Sequence, residues 1–258
     1  MTPDDSAIRE SSAATGGSAA PDGSVAPTPR RRLLWIDTVR VALTVLVIAH
    51  HAAITYGHLP VWYIHEVPQD PSAVLLDLLA VINQSFFMGL FFLVSGYFVP
   101  GSLGRKGPRA FVRDRLLRLG LPLLAFVLVV RPLAGLHAWA DDPRSLSYPM
   151  YYLVTIDAGP AWFLEVLLVL SVACAVLAAL AGIRGRTPEP VGGLDRLRRR
   201  DAIGVMLGLI AVMALAMVLW RQIVPDGTYW PIVGLPTPSF LPQYVLMFAA
   251  GALSARRR

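Results

Sequence analysis

Residues Leu33–Tyr56 read LLWIDTVRVALTVLVIAHHAAITY. A bilayer is crossed by about 20 predominantly apolar residues in a helix, and this run is long and apolar enough. It nevertheless carries Asp37, Arg40, His50 and His51. An ionisable side chain at the centre of a membrane helix costs about 2.5–3.5 kcal/mol on insertion scales and marks a functional position by default. Arg40 and His51 are separated by three helical turns plus about 20°, so both leave the helix on nearly the same face, about 16 Å apart along its axis. His50 points about 80° away from Arg40 and is the weaker partner. One helix therefore presents a cation and an imidazole along a single line.

The remaining composition agrees with a membrane protein. The chain of 258 residues is 55% hydrophobic and 16% charged, with a mean hydropathy of +0.56. Soluble domains are nearer about 45–50% apolar and about 25% charged. Several apolar runs reach spanning length, and no alternating pattern of the kind found in barrels is present. The net charge of +6 does not indicate nucleic acid, because the basic residues stand in short blocks between apolar runs. Lys106 is the only lysine, and the many Arg, Ala, Gly and Pro fit a GC-rich coding sequence and hence a bacterial source. The single cysteine, Cys174, lies inside an apolar run, which leaves no disulfide framework within one chain.

Taken in order, residues 1–32 are Ser-, Ala-, Gly-, Pro- and Thr-rich and are expected to form a disordered cytoplasmic tail. They lack the short apolar core of a signal peptide. Six spans are expected, at about 33–56, 73–99, 116–138, 160–183, 201–223 and 240–255, making up a transmembrane domain over 33–258. Arg30–Arg32, the run GSLGRKGPRAFVRDR, the arginines from Arg184 to Arg200, and Arg256–Arg258 fall at every second boundary; Glu66, Asp70, Asp141, Asp142, Asp157 and Asp226 lie in the other loops. The positive-inside rule then predicts an all-α, polytopic bundle with both termini cytoplasmic, in the plasma membrane. Gly204 and Gly208 make a GxxxG in the fifth span, which predicts close packing within the bundle.

Beyond the first helix, Asn83, Gln84 and Ser85 form a polar cluster in the second span, and Ser95 and Gly96 lie near its other end. Such groups serve more often to join helices than to do chemistry. Arg115 and Arg118 share a helix face and suit a phosphate, although plain positive-inside charge explains them too. In GPAWFLEVLLVL, Pro160 suits a first helical turn, Trp162 an interfacial belt, and Glu165 requires a partner, for which Arg131 is available. His58, His65 and His137 lack the spacing of a metal site, and none is expected.

Together and in order, WIDTVRVALTVLVIAHH, FFMGLFFLVSGYF, RLLRLGLP and GPAWFLEVLLVL resemble the membrane-bound acyltransferase 3 family, with a layout similar to its glucan-succinylating branch. The resemblance runs from about Leu33 to the C-terminus. It implies transfer of an acyl group, of acetyl or succinyl class, from acyl-CoA to a hydroxyl of a carbohydrate or similar acceptor, with no tightly bound cofactor. It implies His51 and Arg40 as the catalytic pair, from the family's Arg-x10-His pattern, and Arg115 and Arg118 as its Arg-x-x-Arg pair. Members have more spans than the six found here, so the resemblance implies a chain shortened at its C-terminus. In the resulting expectation His51 takes the proton of the acceptor hydroxyl, Arg40 stabilises an oxyanion or a donor phosphate, Arg115 and Arg118 hold the CoA phosphates, and Glu165, Asn83 and Gln84 complete the substrate site. Two rivals remain: a transporter using Arg40, His51 and Glu165 as a substrate or proton path, and a shortened, non-catalytic relative.

Overall fold

The structure is a computed structural model and describes residues 34–59, 65–66, 68, 70–141, 146–182, 199–230 and 234–255. The expected N-terminal tail, Arg30–Arg32 and Arg256–Arg258 lie outside the described residues. Among the described residues the architecture is helical. Helix α1 is Leu34–Tyr56 and α2 is Ser72–Arg115. Helical backbone continues through α3, Leu121–Ala125, and α4, Arg131–Ala140. Then come α5, Tyr148–Thr155, α6, Trp162–Leu180, α7, Arg199–Arg221, and α8, Leu241–Ala255. Among the described residues, four helical runs are long and apolar enough to cross a membrane: Asp37–Tyr56, Ser72–Ala140, Tyr148–Leu180 and Arg200–Arg221. Their outward faces expose Val41, Leu75, Leu128, Leu177 and Leu219, the dress of helices solvated by lipid rather than water.

The run Ser72–Ala140 covers the second and third expected spans together, with the basic segment between them also helical. At 1.5 Å per residue the 44 residues of α2 would make a rod of about 66 Å. It is not one: Gly107 leaves the helical region with φ 73° and ψ 164°. Lys106 Nζ lies 2.9 Å from Asp114 Oδ2, whereas eight residues of straight helix would separate their backbones by about 12 Å. The chain bends at Gly107.

Beyond the bend the prolines shape the helix. Pro122 and Pro132 have no N–H to give and crowd the preceding turn. Each follows a π-helical turn, Leu116–Gly120 and Phe126–Val130. The Arg131 N–H donates to Phe126 O, one residue further back than in an α-helix, which leaves the Val127 carbonyl without its usual donor. The Tyr152 hydroxyl donates to that carbonyl and the Tyr148 hydroxyl donates to Pro132 O. Two tyrosines one turn apart on α5 thus dock it on the irregular part of the preceding helix.

The core is centred on α2. Phe92 and Tyr244 are completely buried and stack at 4.9 Å between α2 and α8. Gly96 and Gly251 let these two helices touch: a Cβ on Gly96 would fall on the Phe248 carbonyl, and one on Gly251 on the Leu93 carbonyl. Gln243 Nε2 adds a 2.7 Å bond to Ser85 O. The GxxxG of α7 does not do this job. Nothing lies within 4 Å of a Cβ built on Gly204 or Gly208, and no residue of that helix from 200 to 221 is buried.

Candidate active site

The second half of α1 is tied to α2 by Asn83, whose Nδ2 donates to Leu46 O at 2.9 Å and whose side chain is 1% exposed. One turn on, His51 Nδ1 stands 2.8 Å from Val47 O. A carbonyl only accepts, so Nδ1 carries the proton and the neutral ring keeps its basic lone pair on Nε2. His51 lines a cavity of about 1000 Å³ with His50, Gln84, Ser85, Arg131 and Tyr229. The apolar wall includes Phe87, Met88, Phe91, Trp162 and Phe163. The His50 ring lies 5.0 Å from Phe87 and 6.0 Å from His51. The Gln84 amide lies against the Tyr244 hydroxyl, which is 3.1 Å from Thr237 Oγ1.

A second polar group lines this cavity. Arg131 is buried and donates through Nε to Asp157 Oδ1 at 3.1 Å and through Nη2 to Thr155 O at 3.2 Å. The partner expected for Glu165 is thus engaged with Asp157, a loop residue the sequence reading left unassigned. Glu165 sits half-buried on the first turn of α6. Tyr229 is close enough to feel both carboxylates: burial, then the charge of Asp157 and that of Glu165, push its phenol up, while Arg131 pulls the other way. Arg221 reaches the same cavity with its guanidinium 5.1 Å over Phe240 and its Nε 3.2 Å from Asp226 Oδ1. Trp162, expected at a membrane interface, is instead buried 5.3 Å from Tyr244.

The first half of α1 meets different chemistry. Arg40 lies 4.7 Å over the Phe98 ring and lines a cavity of about 500 Å³ with Arg105, Lys106, Asp114, Arg115 and Arg118. Arg115 is 5.0 Å over Phe111. Five cations and one carboxylate give this cavity a net positive lining, which by charge alone suits an anion. Planar guanidinium groups are suited to phosphate oxygens.

The structure therefore brings Arg40, Arg115 and Arg118 together, and brings His51 and Gln84 together, but in two cavities rather than one. Asn83 faces the α1 backbone, and its neighbour Ser85 takes the place on the cavity wall. The remaining histidines have separate partners: His58 with Asp77 at 2.7 Å, His65 with Gly57 O at 2.7 Å, and His137 with Asp141 at 3.0 Å. Arg221 and Tyr229 were missed because Arg221 stands at the end of the fifth span and Tyr229 follows it, so each reads as ordinary flanking polarity. Arg131, a cation inside an apolar run, carried the sharper signal.

A family model described as an acyltransferase domain matches residues 33–258. The chain belongs to the acyltransferase 3 family of membrane proteins. Among curated proteins it is similar to "Glucans biosynthesis protein C" of Salmonella paratyphi A (strain ATCC 9150 / SARB42), 26% identical over 231 residues, covering 86% of this chain and 59% of that protein. The protein of the same name from Escherichia coli O6:K15:H31 is 27% identical over 232 residues, covering 85% and 58%. This chain thus spans less than two thirds of the length of these relatives. No solved structure matches it significantly.

Proposed function

We propose that the protein is an integral membrane O-acyltransferase that moves an acyl group from acyl-CoA to a hydroxyl of a carbohydrate or similar acceptor. The observation carrying this reading is the division of chemistry along α1: a cationic cavity around Arg40 and an imidazole-bearing cavity around His51. In this reading the cationic end faces the cytoplasm, in line with the positive-inside rule, and both termini lie there. Arg40, Arg115 and Arg118 hold the donor phosphates. The extended arm of the donor spans the roughly 16 Å between Arg40 and His51 and delivers its thioester to the larger cavity.

There the acceptor hydroxyl gives its proton to His51 Nε2 as its oxygen attacks the thioester carbonyl carbon. The C–S bond breaks, the sulfur leaves as the thiol, and His51 returns the proton to it. Val47 O holds the ring in the required tautomer. Gln84 contributes hydrogen bonding to acceptor or thioester beside it, Tyr229 lines the cavity, and Glu165 acts behind it, near enough for its charge to reach the Tyr229 phenol. A transporter reading needs flux without thioester consumption, and a non-catalytic reading needs indifference to His51.

The test is release of free CoA thiol by purified protein with acetyl- or succinyl-CoA and candidate glycans. Wild type should release thiol in an acceptor-dependent manner, and His51→Ala and Arg40→Ala should release less. Equal release by all three would remove the proposed roles.

A further inference from the structure

The basic cavity contains one group of the wrong sign for an anion site. Asp114 stands among Arg40, Arg105, Lys106, Arg115 and Arg118. Its Oδ2 is 2.9 Å from Lys106 Nζ and its Oδ1 is 3.0 Å from Arg118 Nε. The Arg118 contact is an ordinary one-turn pair. The Lys106 contact is not, because Gly107 stands between the partners with φ 73°. A Cβ on Gly107 would meet nothing within 4 Å, so the glycine answers to a backbone dihedral and not to crowding. One carboxylate thus holds a cation from each arm of a bent helix, and the bend forms a wall of the cavity.

We propose that Asp114 is a positioning residue for a phosphate-bearing ligand of this cavity, holding Lys106 before the bend in register with Arg118 after it. The ligand class is a nucleotide thioester with clustered phosphates, so the proposal rests on the donor reading above and adds Lys106 and Asp114 to it. Lysine and arginine side chains have much rotamer freedom to lose. Arg118 is 70% exposed and Lys106 34%, so little besides Asp114 restrains them. A cation already fixed by a carboxylate is ordered before the ligand arrives, and less entropy is lost on binding.

The proposal has a sign opposite to that of simple electrostatics. Removing a negative charge from an anion site should tighten anion binding by Coulomb attraction. If Asp114 positions the cations, removing it should weaken binding. The experiment is calorimetric titration of the purified, detergent-solubilised protein with coenzyme A, together with donor KM and kcat in the thiol-release assay.

Asp114→Asn should bind coenzyme A roughly tenfold more weakly, the scale of coupling within one ion-pair network, with donor KM raised and kcat held. Asp114→Glu should recover most of the binding. Asp114→Asn added to Lys106→Met should cost less than it does alone. Coenzyme A binding by Asp114→Asn equal to or tighter than wild type would overturn the proposal. If Asp114→Asn does not fold, Lys106→Gln carries the test, and unchanged binding by it has the same meaning. If wild type does not bind coenzyme A, the donor reading fails; the same ordering of variants is then read with inorganic pyrophosphate, and its absence overturns the positioning role separately.

Discussion

The two ends of α1 sit in opposite surroundings. Around Arg40 the cavity is small, lined by five cations and open to side chains with large exposure. Around His51 it is twice the volume, walled by Phe, Met and Trp, and its one fully buried cation is neutralised by a carboxylate. The first environment suits holding charge and the second suits moving a proton. Phosphates are recognised through several cations, each able to make a charge-assisted hydrogen bond. A neutral imidazole acts as a base where apolar walls exclude water and the tautomer is fixed. On the proposed function, one helix divides binding from chemistry, and the division gives each end its own kinetic signature.

The largest expected effect belongs to the proton-handling end. His51→Ala should lower kcat by about 10²–10⁴-fold, the usual contribution of a positioned base, with donor KM almost unchanged. Arg40→Ala should do the reverse: a charge-assisted bond is worth about 1.5–3 kcal/mol, so donor KM should rise at least about tenfold with kcat largely kept. Steady-state thiol release over a donor titration separates the two. A fall in kcat alone for Arg40→Ala would break the division, since it would place the guanidinium at the reacting carbonyl.

A stability effect of similar size is expected at the wall of the larger cavity. Arg131→Met strands the Asp157 carboxylate; removing one partner of a fully buried pair costs about 3–5 kcal/mol, and with Asp157 21% exposed the loss should fall at or below the lower end of that range. A thermal melt in detergent should show a large fall, and Asp157→Asn in the same chain should restore much of it. Equal melts for the single and double variants would mean that Arg131 is held by packing and Thr155 O rather than by its ion pair.

Much of this was legible in the sequence, and the gaps share a physical cause. Helix α1, its two chemistries and the basic segment were visible because an ionisable residue in an apolar run is costly enough to stand out. That Arg40 and His51 meet different cavities was not visible. Helical spacing tells which face a residue shares, but 16 Å of rise along that face is wider than one substrate group. The Arg131–Asp157 pair was hidden because Asp157 arrives from a loop 26 residues later. The bend at Gly107 was hidden because a glycine among basic residues reads as an ordinary linker; the backbone dihedrals of Gly107 and the Lys106–Asp114 contact reveal it.

The glycines give the smallest and most pointed test. A motif search chooses Gly204 and Gly208, four apart on an apolar helix. The packing chooses Gly96 and Gly251, which belong to no such spacing and face each other's helices across α2 and α8. A methyl group on Gly96 meets the Phe248 carbonyl, which is backbone and cannot rotate aside, so α8 must move. Overpacking of this kind costs about 1–3 kcal/mol. Because α8 carries Gln243 beside one cavity and Ala255 in the other, Gly96→Ala should lower the melt and raise the KM for donor and acceptor together. Gly208→Ala meets nothing and gains helix propensity, about 0.5–1 kcal/mol, so its melt should hold or rise with both KM values intact. If Gly208→Ala is the variant that destabilises, α7 packs through its small residues after all, and the two cavities are not joined by the α2–α8 contact.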